Sequence, residues 1–156
     1  MNEGSQLKLP FVPAGAPMRG PATLPYQRKE TFLSAAEITY YRMLQMIYGD
    51  RFLIMPHVRV LDLCDVVERQ FNQGAFNKID KRHVDFVLCD PSAFRPIVAI
   101  ELDDSSHDRA YRRRSDAFLD EVFRVIGMRL VRQRVRLAYT IAEVTELVDP
   151  AIAAMA

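Results

Sequence analysis

The sequence predicts an α/β protein in which helices flank a mixed central sheet. Stretches of alternating or continuous apolar residues, typical of strands, are interspersed with stretches whose apolar residues recur every three or four positions, typical of helices. A strand–helix–strand unit, from "PIVAIELDD" to "MRLVRQRV", indicates a right-handed parallel crossover. The predicted order is helix, strand, short helix or loop, two strands, helix, strand and helix, in a single domain.

The first 30 residues are predicted to be an extended arm or linker that precedes a folded domain of residues 31–156. Proline recurs through this stretch and blocks both helix and sheet hydrogen bonding. The prolines are Pro10, Pro13, Pro17, Pro21 and Pro25. Such an arm is also a candidate docking element for a protein partner.

The folded domain is predicted to begin with a helix and an edge strand. Ser34 and Glu37 form a capping box at the helix start, and Gly49 ends the helix. The helix presents an apolar stripe to the core, namely Ile38, Tyr41, Leu44 and Tyr48. Pro56 lacks an amide donor, so the strand "RFLIMPHVRV" is expected either to be broken there or to lie at an edge. The stretch "LDLCDVVERQFNQG" is a short helix or loop that leads to a polar connector, "AFNKIDKR".

Two further strands are predicted to form an antiparallel hairpin, "HVDFVLCD" and "PIVAIELDD". The turn between them, "DPSAFRP", is too short for a parallel crossover. A long helix follows and ends at Gly127. Its inward face is predicted to carry Tyr111, Phe118, Val122 and Val125. After the strand "MRLVRQRV", a capping box of Thr140 and Glu143 opens a final helix, bent or broken near Pro150.

Composition and net charge narrow the class of protein. The chain has 156 residues, of which 49% are hydrophobic, enough for one domain with a buried core. Its net charge of +1 excludes a polycation that binds nucleic acid indiscriminately. Positive charge is concentrated locally, because residues 107–136 contain nine arginines, four acids and no lysine. Arginine suits phosphate recognition but pairs equally well with carboxylates, so both interpretations stay open.

Cysteine usage and hydropathy favour a cytoplasmic protein. Cys64 and Cys89 belong to no CxxC pair, which argues against a zinc site and favours free thiols in a reducing compartment. No stretch approaches the roughly 18 apolar residues that a membrane helix requires. We therefore expect neither a membrane segment nor a secretory signal.

The stretch "AIELDDSSHD" places acidic residues directly after an apolar run. Glu101, Asp103 and Asp104 repel one another unless a proton or a positive charge lies among them. Because alternate residues of a strand share a face, Glu101 and Asp103 lie together, and Asp85 on the partner strand can come opposite either of them. Magnesium is commonly held by one or two such carboxylates. The acids therefore predict a divalent-cation site.

A structural alternative explains part of this stretch. Asp104 can end the strand, and Ser106 or Asp108 can cap the helix that follows. Capping explains neither Glu101 inside an apolar strand nor Asp85 in "VDFVL", since a buried carboxylate without a partner costs several kcal/mol. These two acids favour a metal-binding or catalytic site.

The acidic strands, the arginine-rich helix and the "MRLVRQRV" strand resemble the PD-(D/E)XK nuclease superfamily. Within it, they are most similar to an uncharacterised bacterial family of unknown function that is related to the very-short-patch-repair endonucleases. The resemblance covers roughly residues 32–136, and "IELDDSSH" is its most specific part. It implies a restriction-endonuclease-like fold and the cleavage of DNA with Mg²⁺ or Mn²⁺ as cofactor.

The resemblance also implies roles for individual residues. Asp85 and Glu101 match acidic metal ligands, and Asp103, a third ligand, stands where the superfamily usually has a lysine that helps to activate the attacking water. The resemblance to the repair endonucleases implies that His107 is a substitute general acid or base, or a group linked to the metal. Glu37 matches an acid that binds metal through water, although its capping role explains it equally well. The candidate nucleic-acid contacts are Arg112, Arg113, Arg114, Arg132 and Gln133.

Three functions are compatible with these observations. The first is a magnesium-dependent endonuclease acting on DNA. The second is a nucleic-acid-binding module of the same fold that has lost cleavage, which the missing lysine favours and the retained acids oppose. The third is a domain that docks a protein partner through the proline-rich arm. His57 and His83 are interpreted as ordinary, partly buried histidines.

Overall fold

A four-stranded mixed sheet forms the centre of the structure. The structure is a computed structural model, and it describes residues 24–103 and 109–155. The strands lie in the order in which they occur along the chain: β1 (Leu53–Arg59), β2 (His83–Cys89), β3 (Pro96–Asp103) and β4 (Arg129–Arg134). The pairs β1–β2 and β2–β3 are antiparallel, whereas β3–β4 is parallel. The predicted hairpin, the parallel crossover and the edge position of β1 with its Pro56 are therefore confirmed.

The described residues also form four α-helices and one short 3₁₀ helix, Val60–Asp62. The α-helices are α1 (Ala35–Tyr48), α2 (Gln73–Ile79), α3 (Arg109–Val125) and α4 (Ile141–Ala153). The predicted element order is confirmed. The prediction that "AFNKIDKR" is a polar connector was wrong, because most of this stretch lies in α2. There Ile79 is buried, and the Phe76 ring stacks under the Arg69 guanidinium.

Both predicted capping boxes are present. The Ser34 hydroxyl accepts the Glu37 amide hydrogen, and the Glu37 carboxylate accepts that of Ser34; Thr140 and Glu143 repeat the arrangement in α4. Pro150 lies inside α4, which continues past it to its last turn. These caps fix where α1 and α4 begin, and the first of them also fixes a side chain of the candidate site.

Two hydrophobic clusters cover the two faces of the sheet. One lies between the sheet and the helices α1 and α4, and it includes Tyr40, Leu44 and Tyr48. The predicted α1 stripe was thus rotated slightly, because Tyr40 is fully buried while Ile38 and Tyr41 are only half-buried.

The second cluster lies between the sheet and α3, whose most buried side chains are Leu119 and Phe123. Phe118 and Val122 pack at its margin, as expected. Val125 was wrongly predicted to face inward, because it is 68% exposed near the end of the helix. The Tyr111 side chain lies outside the described residues.

Helix α3 ends as predicted at a glycine, and the chain then enters β4. Gly127 adopts a φ of +70°, a left-handed conformation that glycine tolerates at a helix end. Cys64 and Cys89 are free thiols. Within the described ranges, no helix has the length and apolar character needed to cross a membrane.

Candidate functional site

The acidic residues of β2 and β3 lie where these two strands separate. The ladder between them ends at the pair Phe86–Ile100, and the next residues along the two strands are Asp85 and Glu101. The Asp85 carboxylate (Oδ2) accepts the Leu102 amide hydrogen at 2.6 Å, so a side chain takes the place of a backbone acceptor. Asp85 therefore comes opposite Glu101, one of the two arrangements that the sequence allows.

A row of polar residues crosses the whole sheet at this level. On β1, the pairs Pro56–Phe86 and Val58–Val84 place His57 beside Asp85, and on the other side Glu101 pairs directly with Arg132. Each strand thus contributes one residue to the row: His57, Asp85, Glu101 and Arg132.

Glu101 is the most strongly perturbed acid of the row. Burial raises the pKa of its carboxyl to about 7; the nearby Asp85 adds to the rise, Arg132 opposes it, and Asp103 contributes a smaller rise. No hydrogen bond or ion pair joins the Glu101 carboxylate to another described residue. A partly buried acid without such a partner is less favourable when charged, and a cation or a proton relieves this cost.

The carboxyl group of Asp85 is also less favourable when charged, though to a smaller degree than that of Glu101. Burial raises the pKa of its carboxyl, the hydrogen bond from Leu102 opposes the rise, and the negative charge of Glu37 adds to it. Two opposed carboxyl groups, both with raised pKa, lie at the point where the strands part. Carboxyl groups with raised pKa values that lie close together are candidates for a functional site.

Glu37 joins the site through a hydrogen bond to His57. Its Oε1 lies 2.9 Å from the imidazole Nε2, while its Oε2 accepts the Ser34 amide hydrogen at 2.6 Å. Burial pushes the pKa of Glu37 upward, but the bonds from His57 and Ser34 outweigh it and hold the pKa below its usual value. The two interpretations of Glu37 from the sequence are therefore compatible, since one oxygen caps the helix and the other holds the histidine.

His57, interpreted from the sequence as an ordinary, partly buried histidine, joins this row through its hydrogen bond to Glu37. It adopts a φ of +52°, a conformation that is uncommon outside glycine and often marks functional sites. Its side chain is 35% exposed, and it lowers the pKa of Asp85 through its charge. The signal that could have identified it is the register of β1 on β2, which the sequence alone does not provide.

Asp103 has a different environment from Asp85 and Glu101. The Arg132 guanidinium lies between β3 and α3, with Nη1 3.7 Å from Asp103 and 3.6 Å from Asp116. Its Nη2 lies 2.9 Å from Asp120. Arg132 is thus shared among three aspartates, and Asp103 forms an ion pair with it, whereas neither Asp85 nor Glu101 forms an ion pair with another described residue.

The remaining candidates are dispersed. Gln133 is 7% exposed and lies beside Val131 on the α1 and α4 side of the sheet, so the structure does not bring it together with Glu101. Its amide nitrogen donates to the Arg134 carbonyl. Arg114 is exposed on α3. His107 and the side chains of Arg112 and Arg113 lie outside the described residues.

The donor set fits a metal bound mainly through water better than a protein cage. In the part of the chain that the structure describes, no three histidine, cysteine or acidic side chains are close enough to surround a metal ion. Magnesium usually takes one or two carboxylates and completes its shell with water and substrate oxygens. Asp85 and Glu101 supply that number of carboxylates.

The fold and these acids define an α/β protein whose central sheet carries a carboxylate cluster where two antiparallel strands part. The chain belongs to a family described as proteins of unknown function (DUF2726), whose model matches residues 29–151. The match includes every strand of the sheet and confirms the predicted membership of an uncharacterised family. No curated protein and no solved structure is significantly similar to the chain.

Proposed function

We propose that this protein is a metal-dependent endonuclease of the PD-(D/E)XK type that cleaves phosphodiester bonds in DNA. The observation that carries the proposal is that Asp85 lies opposite Glu101 where β2 and β3 separate, and that the Glu101 carboxylate forms no ion pair or hydrogen bond with another described residue. Natural proteins seldom retain such a pair without a use, because its charged form is unstable in the folded state.

The arrangement of elements supports the same proposal. The resemblance implies a helix followed by three strands, a helix and a fourth strand, and it takes its acids from the first helix and from two adjacent strands. In this chain, Glu37 lies on α1, Asp85 on β2 and Glu101 on β3; the charge of Glu37 acts on Asp85, and that of Asp85 acts on Glu101.

Each residue of the proposed site has its own role in hydrolysis. A divalent cation bound there would neutralise the acids, polarise the phosphate and activate a water molecule. The Leu102 amide holds Asp85 in position at the strand gap. Glu37 fixes the His57 imidazole in the same row, where it can accept a proton from water or deliver one to the leaving oxygen.

One observation favours a second function, the nucleic-acid-binding module without cleavage. The resemblance places Asp103 where the superfamily has its lysine, so this position offers no lysine ammonium; Asp103 lies instead 3.7 Å from the Arg132 guanidinium. In this case the acids would be remnants, and DNA binding would not depend on divalent ions. A partner-docking role for the arm and a cytoplasmic location stay predictions.

The test is plasmid nicking with Mg²⁺ or Mn²⁺. We expect the wild type to nick DNA and Glu101→Gln to lose activity by at least about a hundredfold, as expected for the loss of a metal ligand. Glu146→Gln, an exposed acid on α4, is the matched control and should retain full activity. Equal activity of Glu101→Gln and wild type, or no activity of wild type with either ion, would contradict the proposal.

A further inference from the structure

A second feature lies next to the carboxylate cluster, a cavity of about 340 Å³ along β1 and β2. His57 lines it at one end and is hydrogen-bonded to Glu37 of the cluster. The apolar side chains of Val87 and Cys89 belong to its lining, and Phe94 lines it near the β2–β3 turn. Its volume lies at the lower end of the range of small-molecule sites.

Phe94 has an exposure and a backbone conformation that are unusual for an apolar residue. It is 63% exposed and has a φ of +55°, which is costly for a bulky side chain. The turn keeps it there, because its amide donates to the Asp90 carbonyl while the Asp90 carboxylate accepts the amides of Ser92 and Ala93. Two of the three described non-glycine residues with positive φ, His57 and Phe94, thus line this one cavity.

The polar groups of the cavity are few. Asp62, at the end of the 3₁₀ helix, lines it and makes no hydrogen bond or ion pair with another described residue. A carboxylate of this kind accepts hydrogen bonds from the amino group of a base such as cytosine. An exposed aromatic ring offers a stacking surface for any base. The exposed Arg95, next to Phe94 in the chain, adds a positive charge suited to phosphate.

We propose that this cavity is a subsite for an unpaired nucleobase of single-stranded DNA, with the base stacked on Phe94 and its amino group bound by Asp62. The proposal rests on the proposed nucleic-acid substrate, but it does not depend on cleavage. It gives the site a preference for single-stranded DNA and for amino-bearing bases, and it places the neighbouring phosphodiester beside His57 and the carboxylates.

The test measures binding in EDTA at low salt, so that cleavage plays no part. The probe is fluorescein-labelled oligodeoxycytidine of about eight nucleotides, followed by fluorescence anisotropy with the full-length protein. We expect Phe94→Ala to weaken binding by about tenfold, which corresponds to the loss of one stacked base. Phe71→Ala is the matched control, because Phe71 is 79% exposed and does not line the cavity, and it should bind like wild type.

A second comparison tests the role of the carboxylate. The wild type should bind oligodeoxycytidine more tightly than oligothymidine, and Asp62→Ala should reduce this difference. No binding by the wild type, or equal losses for Phe94→Ala and Phe71→Ala, would overturn the subsite. If the oligonucleotide binds as expected while plasmid nicking is absent, the subsite stands and the endonuclease fails; the reverse pattern keeps the endonuclease and removes the subsite.

Discussion

At the scale of single residues, the burial of Glu101 has the most direct consequence. Its pKa in the folded protein is about 7, above the ordinary value of 4.5. Between these two pH values the folded state binds more protons than the unfolded state, so the contribution of Glu101 to stability falls as the pH rises through this window. Above it, the ionised carboxylate destabilises the fold.

This linkage predicts the behaviour of Glu101→Gln in EDTA. At about pH 8 the variant should be more stable than wild type by roughly 2 kcal/mol, and at about pH 5 the difference should nearly vanish. Urea unfolding at both pH values measures it. A variant that is less stable than wild type at about pH 8 would show that the ionised Glu101 has a favourable partner.

The place of His57 in the candidate site could not be predicted from the sequence. It depends on the position of His57 opposite Asp85 and on a left-handed backbone, and neither follows from the letters "MPHVR". Asp85 and Glu101 could be identified because acids are conspicuous within apolar strands. A histidine next to a proline on an edge strand has no such contrast with its surroundings.

At the scale of secondary structure elements, the two capping boxes offer a natural comparison. Glu37 and Glu143 occupy the same position in α1 and α4, and each accepts the amide hydrogen of its cap residue. The two residues differ in the partner of their second carboxylate oxygen. That oxygen is hydrogen-bonded to His57 in Glu37 and to Arg136 in Glu143.

We therefore expect Glu37→Gln and Glu143→Gln to lower the free energy of unfolding by similar amounts, about 0.5–1 kcal/mol. Only Glu37→Gln should also reduce metal-dependent nicking, by about tenfold or more, because it disturbs the orientation of His57. Thermal unfolding and initial nicking rates of the two variants make the comparison. Equal nicking rates would assign Glu37 to capping alone.

Most elements could be predicted from the sequence because their signals are local. Caps, glycine stops and strand patterns lie within a few residues of one another, and they gave α1, the β2–β3 hairpin and α4. Helix α2 was missed because a single buried residue, Ile79, carries its contact with the core, so its pattern resembles a polar loop. The inward face of α3 was predicted only in part, because α3 has several apolar residues and tertiary packing decides that Leu119 and Phe123 are the most buried.

At the scale of the whole molecule, the site is assembled from distant parts of the chain. Glu37, His57, Asp85 and Glu101 come from α1 and three strands, and Arg132 ties β4 to Asp116 and Asp120 of α3. Such a cluster exists only in the folded protein. A cation that binds it will therefore stabilise the fold in proportion to its concentration and affinity.

The measurement that tests the central claim most directly is calorimetric titration of the metal-free protein with Mn²⁺ near neutral pH. We expect binding to wild type and to Glu146→Gln, and a loss of at least about tenfold in affinity for Glu101→Gln. Equal affinity of all three proteins, or no binding to wild type, would contradict the claim that Asp85 and Glu101 form a divalent-cation site.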